Sequence, residues 1–152
     1  MSSAPLARVA AAAALLAACA APSGGVPEAG LPGLPTVVQF SYQAVTPQTV
    51  RIAADGNVSW ENTARETTAF VVLPASTASG FRCADLRPFF LPAADLYRSL
   101  PLTGMQSDRV QLPCALKPGS YDYEIWLMGA GFGGEWSGNE PERILRAKIV
   151  VE

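Results

Sequence analysis

The chain has 152 residues, a formal net charge of −2, no histidine, and 49% of its residues in the hydrophobic set. That suffices for one ordinary domain and is too little for two sizeable cores. Scattered basic residues make no positive stripe, which argues against a nucleic-acid partner. Ser-His-Asp and Cys-His catalytic arrangements are excluded by the missing histidine. No Walker loop or dinucleotide glycine fingerprint follows a strand in the required form. The expectation is therefore a protein that is not an enzyme.

The first segment, MSSAPLARVAAAAALLAACAAPSGG, places Arg8 before a small apolar run over 9–18 and then Cys19. Such a run is too short and too alanine-rich for a spanning helix and has the flanks of an export signal. Leu16-Ala17-Ala18-Cys19 resembles the lipobox of bacterial lipoproteins, where the signal is cut just before a cysteine whose sulfur carries diacylglycerol and whose amine is usually acylated. That resemblance implies a signal peptide over 1–18 and lipid attachment at Cys19, with acyl chains such as palmitate. Each buried methylene contributes roughly 0.8 kcal/mol, so several chains anchor stably. Ala20 stands where an aspartate is associated with inner-membrane retention, which implies an outer-membrane anchor facing the periplasm in a two-membrane organism. The competing reading is an ordinary secretory signal cut near Ala18 or Ala21, with Cys19 incidental. Repeated Pro and Gly make 19–35 a tether that holds a domain off the lipid surface.

The domain is expected over 36–152. Residues 36–42, TVVQFSY, alternate with β-branched and aromatic residues at close to period two. Extended structure resumes at 50–52, a turn follows at 53–56, and 57–62, NVSWEN, alternates again. Val58 and Trp60 are then expected inward, Ser59 and Glu61 toward water. The next strand is 68–73, ended by Pro74. Pro92 at a first turn, with Leu96, Tyr97 and Leu100 partly on one face, predicts a short helix over 92–100. That excursion reads as scaffold decoration or as a partner surface made by Phe89, Phe90, Leu91 and Tyr97. Strand pattern returns at 109–112. Lys117-Pro118-Gly119 turns into 120–128, with Tyr121, Tyr123, Ile125 and Leu127 on one face and Asp122, Glu124, Trp126 and Met128 on the other. A glycine-rich loop over 129–138 leads to a final strand over 143–151, with Ile144, Ala147, Ile149 and Val151 as packing residues. Short strands with one small helix argue for a two-sheet β-sandwich.

With Cys19 assigned to lipid, Cys83 and Cys114 remain as a pair in an exported, oxidising setting, where a disulfide is the default. Two reduced buried cysteines or a two-thiolate metal site are the other readings.

The order of TPQTVRI (46–52), DGNVSWEN (55–62), KPGSYDY (117–123) and KIVVE (148–152) resembles the cupredoxin family, which includes plastocyanin-like blue copper proteins, over 40–72 and 109–152. The resemblance implies an all-β, cupredoxin-like Greek-key β-sandwich with a small helical or loop insertion. Its copper chemistry needs a thiolate and two imidazoles, often with a weak axial thioether. The places matching the two histidines are Thr68 (or Thr67) and Met128, the cysteine falls near Ile125, and the late methionine near Leu145. None has the required identity, so the implied scaffold has no cofactor and no metal ligands. Met105 and Met128 are isolated thioethers, which leaves weak cuprous binding as another reading.

Trp126, Phe132 and Trp136 are the candidate partner-binding residues, because aromatics supply rigid contact area; structural packing is the plainer role. Asp122 and Glu124, two apart on a strand, describe a soluble face better than a catalytic dyad. The expected function is a lipid-anchored, extracytoplasmic binding or assembly module whose partner is an envelope protein or small ligand. A small copper-handling or electron-transfer protein with an atypical site, and a small-ligand-binding lipoprotein, are the alternatives.

Overall fold

A computed structural model of the chain describes residues 34–64, 67–104, 109–129 and 140–152. Its strands are β1 (Thr36–Phe40), β2 (Val45–Thr46), β3 (Thr49–Ile52), β4 (Val58–Asn62), β5 (Thr68–Pro74), β6 (Phe90–Ala93), β7 (Leu96–Ser99), β8 (Arg109–Gln111), β9 (Gly119–Met128) and β10 (Arg143–Val151). A single helical turn, α1 (Ala75–Ala78), follows β5. The all-β, two-sheet sandwich expected from the alternating segments is what forms. One sheet has the order β2-β1-β4-β8, the other β3-β10-β9-β5-β7-β6. Both are mixed: β1 runs parallel to β4 and β3 parallel to β10, while the remaining neighbours are antiparallel.

Period-two burial decides which side chains make the core. Val38 and Phe40, Val58 and Trp60, Ala69, Val71 and Leu73, Tyr123, Ile125 and Leu127, and Leu145, Ala147, Ile149 and Val151 all point between the sheets. Ile144, read as a packing residue, has the opposite parity and is 40% exposed. Trp60 is at the centre, edge-on to Tyr123 (5.4 Å between ring centroids) and to Phe90 (6.2 Å). Such edge-to-face contacts add to the area the rings bury. The Trp60 indole N–H and the Tyr123 hydroxyl are buried without a fully formed hydrogen bond. Burial pushes the Tyr123 phenol up to about 12, and the adjacent Trp60 N–H acts in the opposite direction. Ser59, expected to face water, is instead buried.

The insertion departs from the sequence reading. Residues 92–100 are not a helix; β6 and β7 form a hairpin closed by Ala94 and Asp95, with Ala94 in the left-handed region at φ 54°. The extended form buries Phe90 completely against Trp60. It also buries Ser99, whose Oγ accepts the Val71 N–H at 2.9 Å. Pro92 fits because β6 is the sheet edge, where a missing N–H breaks no ladder bond. The helical part of the insertion is the single turn α1.

Cys83 and Cys114 form a disulfide with their Cα atoms 6.2 Å apart. It fastens the segment after α1 to the approach to β9, alongside the Phe81–Leu116 bridge and the Arg82 N–H bond to the Ala115 carbonyl. The Lys-Pro-Gly turn is completed by Gly119 at φ +152°, a backbone state that side chains rarely adopt. Tyr121 then donates its hydroxyl to the Lys117 carbonyl at 2.8 Å. No helix among the described residues is long and apolar enough to cross a membrane.

Candidate binding face

Whether this sandwich offers a copper site of the type the resemblance implies depends on where four side chains point. Thr68 lies directly opposite Met128 in the β5–β9 pairing, and Leu145 lies opposite Ile125 in β9–β10. Ile125 and Leu145 are in the core between the sheets. Met128, an odd number of residues further along an unbroken β9, projects from the other face, as does Thr68, which shares its parity with Phe70. The four positions are thus divided two and two across a sheet, and their side chains do not converge. The donors present are one hydroxyl and one thioether on the outer face, which does not fit a thiolate and two imidazoles. Thr68 and Ile125 cannot jointly fill a ligand space, because they face opposite sides of the sheet. No group of three or more Cys, Asp or Glu side chains with metal-binding spacing occurs among the described residues.

The loop leading to Thr68 is held by an amide. Asn62 is buried, donates Nδ2 to the carbonyls of Thr67 (2.8 Å) and Leu102 (2.9 Å), and accepts the Ala64 N–H through Oδ1 (2.8 Å). Gly104, at φ +74°, sits against the Ala64 carbonyl where a Cβ would collide. Among the described residues, Asn62 and Gly104 thus tie the segments at Ala64, Thr67 and Leu102 together.

The outer face of the six-stranded sheet is more informative. Phe70, Val72 and Met128 form a second buried apolar cluster, with Leu96 and Trp126 packed against it. Register sets Phe70, Trp126 and Ile144 side by side across β5, β9 and β10. The next row runs Leu91, Arg98, Val72, Glu124 and Arg146 across β6, β7, β5, β9 and β10. Arg98 lays its guanidinium 4.5 Å from the Phe70 ring centroid. Trp126 donates its indole N–H to one Glu124 oxygen at 2.8 Å, and Arg146 Nε donates to the other at 3.1 Å. Lys148 pairs with Asp122 at 3.5 Å. Beside these pairs, a cavity of about 420 Å³ opens between Thr49, Pro74, Glu124, Arg146 and Lys148.

Of the aromatic trio chosen from sequence, Trp126 is half-buried on this face; Phe132 and Trp136 lie outside the described residues, as do Cys19 and Met105. Trp126 therefore both packs and presents one edge outward. Of the four insertion residues, Phe89 is exposed, as is Leu91, while Phe90 is core and Tyr97 packs partly against it. Sequence reasoning missed Phe70, Val72, Arg98 and Arg146. The signal for the first two was the unbroken apolar run AFVVL in β5, which marks a strand buried on both faces. Asp122 and Glu124 are each engaged with a cation, in keeping with a solvated face.

No protein-family model matches the chain, and no curated protein matches it. Among solved structures, an oxidized proline-to-glycine mutant of amicyanin is similar over 80% of this chain and 86% of its own, with 16% identity and a TM-score of 0.48. Amicyanin from Paracoccus versutus (Thiobacillus versutus) gives 20% identity, 80% and 85% coverage, and a TM-score of 0.47. A copper-containing nitrite reductase (NirK) from Thermus scotoductus is similar over 78% of this chain and 22% of its own, at 15% identity and a TM-score of 0.46.

Proposed function

We propose that the chain is an exported protein, lipid-anchored through Cys19, whose copper-free, cupredoxin-like sandwich serves as a binding or assembly module in the cell envelope. The observation that carries this reading is the division of Thr68 and Met128 from Ile125 and Leu145 by the sheet itself. A scaffold of this kind keeps its rigid strands and loses the electron-transfer centre, which leaves its surfaces as the means of action. Trp126, oriented by Glu124 and packed on Phe70 and Val72, is the described anchor of the binding face. Phe132 and Trp136 belong to the same proposal through their place in the sequence.

Two measurements test it. Copper titration of the oxidised mature protein should give neither stoichiometric tight binding nor reversible redox behaviour; a single tightly held, intensely blue ion would overturn the copper-free reading. Partner capture from the native envelope with lipidated protein should be reproducible and lost in a Trp126→Ala/Trp136→Ala double variant that keeps its fold. Capture unchanged by that variant would remove both residues as anchors.

A further inference from the structure

The two edges of the six-stranded sheet, β6 and β3, differ in what they offer a neighbour. At β6 the hairpin register turns Phe90 and Pro92 outward, but the Phe90 N–H is taken by the Leu86 carbonyl at 3.1 Å and Pro92 has none. At β3 the bonds to β10 run through alternate residues. The Gln48 carbonyl accepts the Lys148 N–H at 2.9 Å, and the Ile52 carbonyl accepts the Glu152 N–H at 3.0 Å. Residues 48, 50 and 52 therefore face β10, and the peptide groups of Thr49 and Arg51 face away from it. Both residues are exposed, and among the described residues no main-chain hydrogen bond reaches them from that side. Two N–H and two carbonyl groups thus stand in a row at this edge, which is the pattern that an added strand pairs with.

The side chains beside this edge set the chemistry of the strand it fits. Thr49 and Arg51 point to the outer face, while Val50 and Ile52 are in the core. Register puts Lys148 next to Thr49, with Asp122 beyond it. Counting inward from the edge, the cations Arg51, Lys148 and Arg146 come first, and the acids Asp122 and Glu124 follow only on β9. Arg51 is paired with Glu152 at 2.7 Å, Lys148 with Asp122 at 3.5 Å and Arg146 with Glu124 at 3.1 Å. None of these carboxylates comes from the edge side. Thr49 is short, and the cavity of about 420 Å³ that it lines continues to Lys148 and Arg146.

An added antiparallel strand brings one side chain beside Thr49 and, two residues away, another beside Arg51. A carboxylate beside Arg51 meets the guanidinium directly. One beside Thr49 reaches over it to Lys148, two strand spacings or roughly 10 Å away, within the joint reach of two long side chains. The residue between them falls on the core side next to Val50, which suits an apolar side chain. A second copy of β3 brings Thr49 and Arg51 and no acid, so it lacks this complement.

We propose that the free edge of β3 takes an extended, acidic segment of a partner protein as an added antiparallel strand, with carboxylates at alternate positions beside Thr49 and Arg51. Backbone hydrogen bonds carry this contact, and it stands whether or not Cys19 is lipidated.

The test titrates a blocked hexapeptide, TEVEVT, into the isotopically labelled full chain and reads amide NMR spectra and hydrogen exchange. The expected result is saturable binding that protects the Thr49 and Arg51 amides from exchange. The same peptide N-methylated at both glutamates should bind about tenfold more weakly or worse, because the methyl groups remove the donors that face β3. The lysine peptide TKVKVT should not bind the parent. An Arg51→Glu variant whose amide spectrum shows the parent fold should lose TEVEVT and gain TKVKVT. No binding of TEVEVT, equal binding of the two peptides, or binding indifferent to N-methylation would each overturn the proposal. Protection that falls on Arg109 and Gln111 of β8 in place of Thr49 and Arg51 would do the same. Self-association of the chain with the Thr49 and Arg51 amides protected before any peptide is added would assign the edge to a second copy and also overturn it.

Discussion

Trp126 donates its indole N–H to Glu124, two residues back along the same face of β9, at 2.8 Å. The second carboxylate oxygen takes Arg146 of the neighbouring strand β10, so one acidic side chain links the ring to that strand. Trp126→Phe keeps much of the apolar cover and removes the donor. Urea unfolding should show a loss of about 1 kcal/mol. Trp126→Ala also uncovers Phe70, Val72 and Met128, and for a half-buried ring the loss should be about 2–3 kcal/mol. Equal losses for the two variants would mean that the ring covers nothing of consequence.

Asn62 satisfies three backbone groups from the centre of a closed loop. Asn62→Ala should cost about 2–4 kcal/mol, since the carbonyls of Thr67 and Leu102 and the N–H of Ala64 lose their partner inside the protein. Asn62→Asp is the sharper probe. It turns a donor into a carboxylate facing two carbonyl oxygens, so the variant should be least stable at neutral pH and should recover as acid protonates it. A flat acid profile would remove the amide from this role.

Tyr123 gives the fold an alkaline limit. Its phenol is raised from 10.0 to about 12 by burial, so above pH 10 the unfolded chain gives up a proton that the folded chain keeps. Stability from this residue is therefore complete below pH 10 and is lost as pH rises toward 12, by at most about 2–3 kcal/mol. Thermal melts of the parent and Tyr123→Phe should keep a constant difference below pH 10, and above it the parent should fall more steeply than the variant. Parallel curves would contradict the burial account.

The Cys83–Cys114 bridge closes a separation of 31 residues. On the chain-entropy estimate it stabilises the fold by about 3–4 kcal/mol. The double Cys83→Ser/Cys114→Ser variant, followed by urea titration, should show that loss. A change near zero would mean that the hairpin and the Phe81–Leu116 bridge hold the insertion alone.

Restoring ligand identities should not restore a site. A chain carrying Thr68→His, Ile125→Cys, Met128→His and Leu145→Met places its imidazoles on the outer face and its sulfurs in the core. Copper titration should give no intense thiolate-to-copper band, and the new thiol should resist a water-soluble disulfide reagent. A blue centre would show that β9 does not run unbroken to Met128.

Much of the sandwich was legible because its strands alternate. The segment around Val58 and Trp60 and the run through Tyr123, Ile125 and Leu127 bury the apolar positions their period two predicts, and the last strand buries Ala147, Ile149 and Val151 while Ile144 faces out. The hairpin was not legible: Pro92 before Ala-Ala-Asp-Leu carries a helix-start signal, and only the place for Phe90 beside Trp60 and for Ser99 beside Val71 makes the extended form better. Ser59 failed for a similar reason, since parity gives the side of the sheet and not what covers it. At the candidate face, Trp126 was found from its aromatic character, whereas Phe70, Arg98 and Arg146 come from other strands and meet it only through register.

The amino-acid sequence by itself determined the inventory: no imidazole anywhere, two cysteines placed to pair within the domain, and alternation sufficient for an all-β chain. Tertiary structure alone decided how that inventory is distributed. Strand pairing put Thr68 and Met128 on one side of a sheet with Ile125 and Leu145 on the other, and turned a presumed helix into an edge hairpin. The physical reason is that composition is local, while the neighbours of a side chain in a sheet are set by register between strands that lie far apart in the chain.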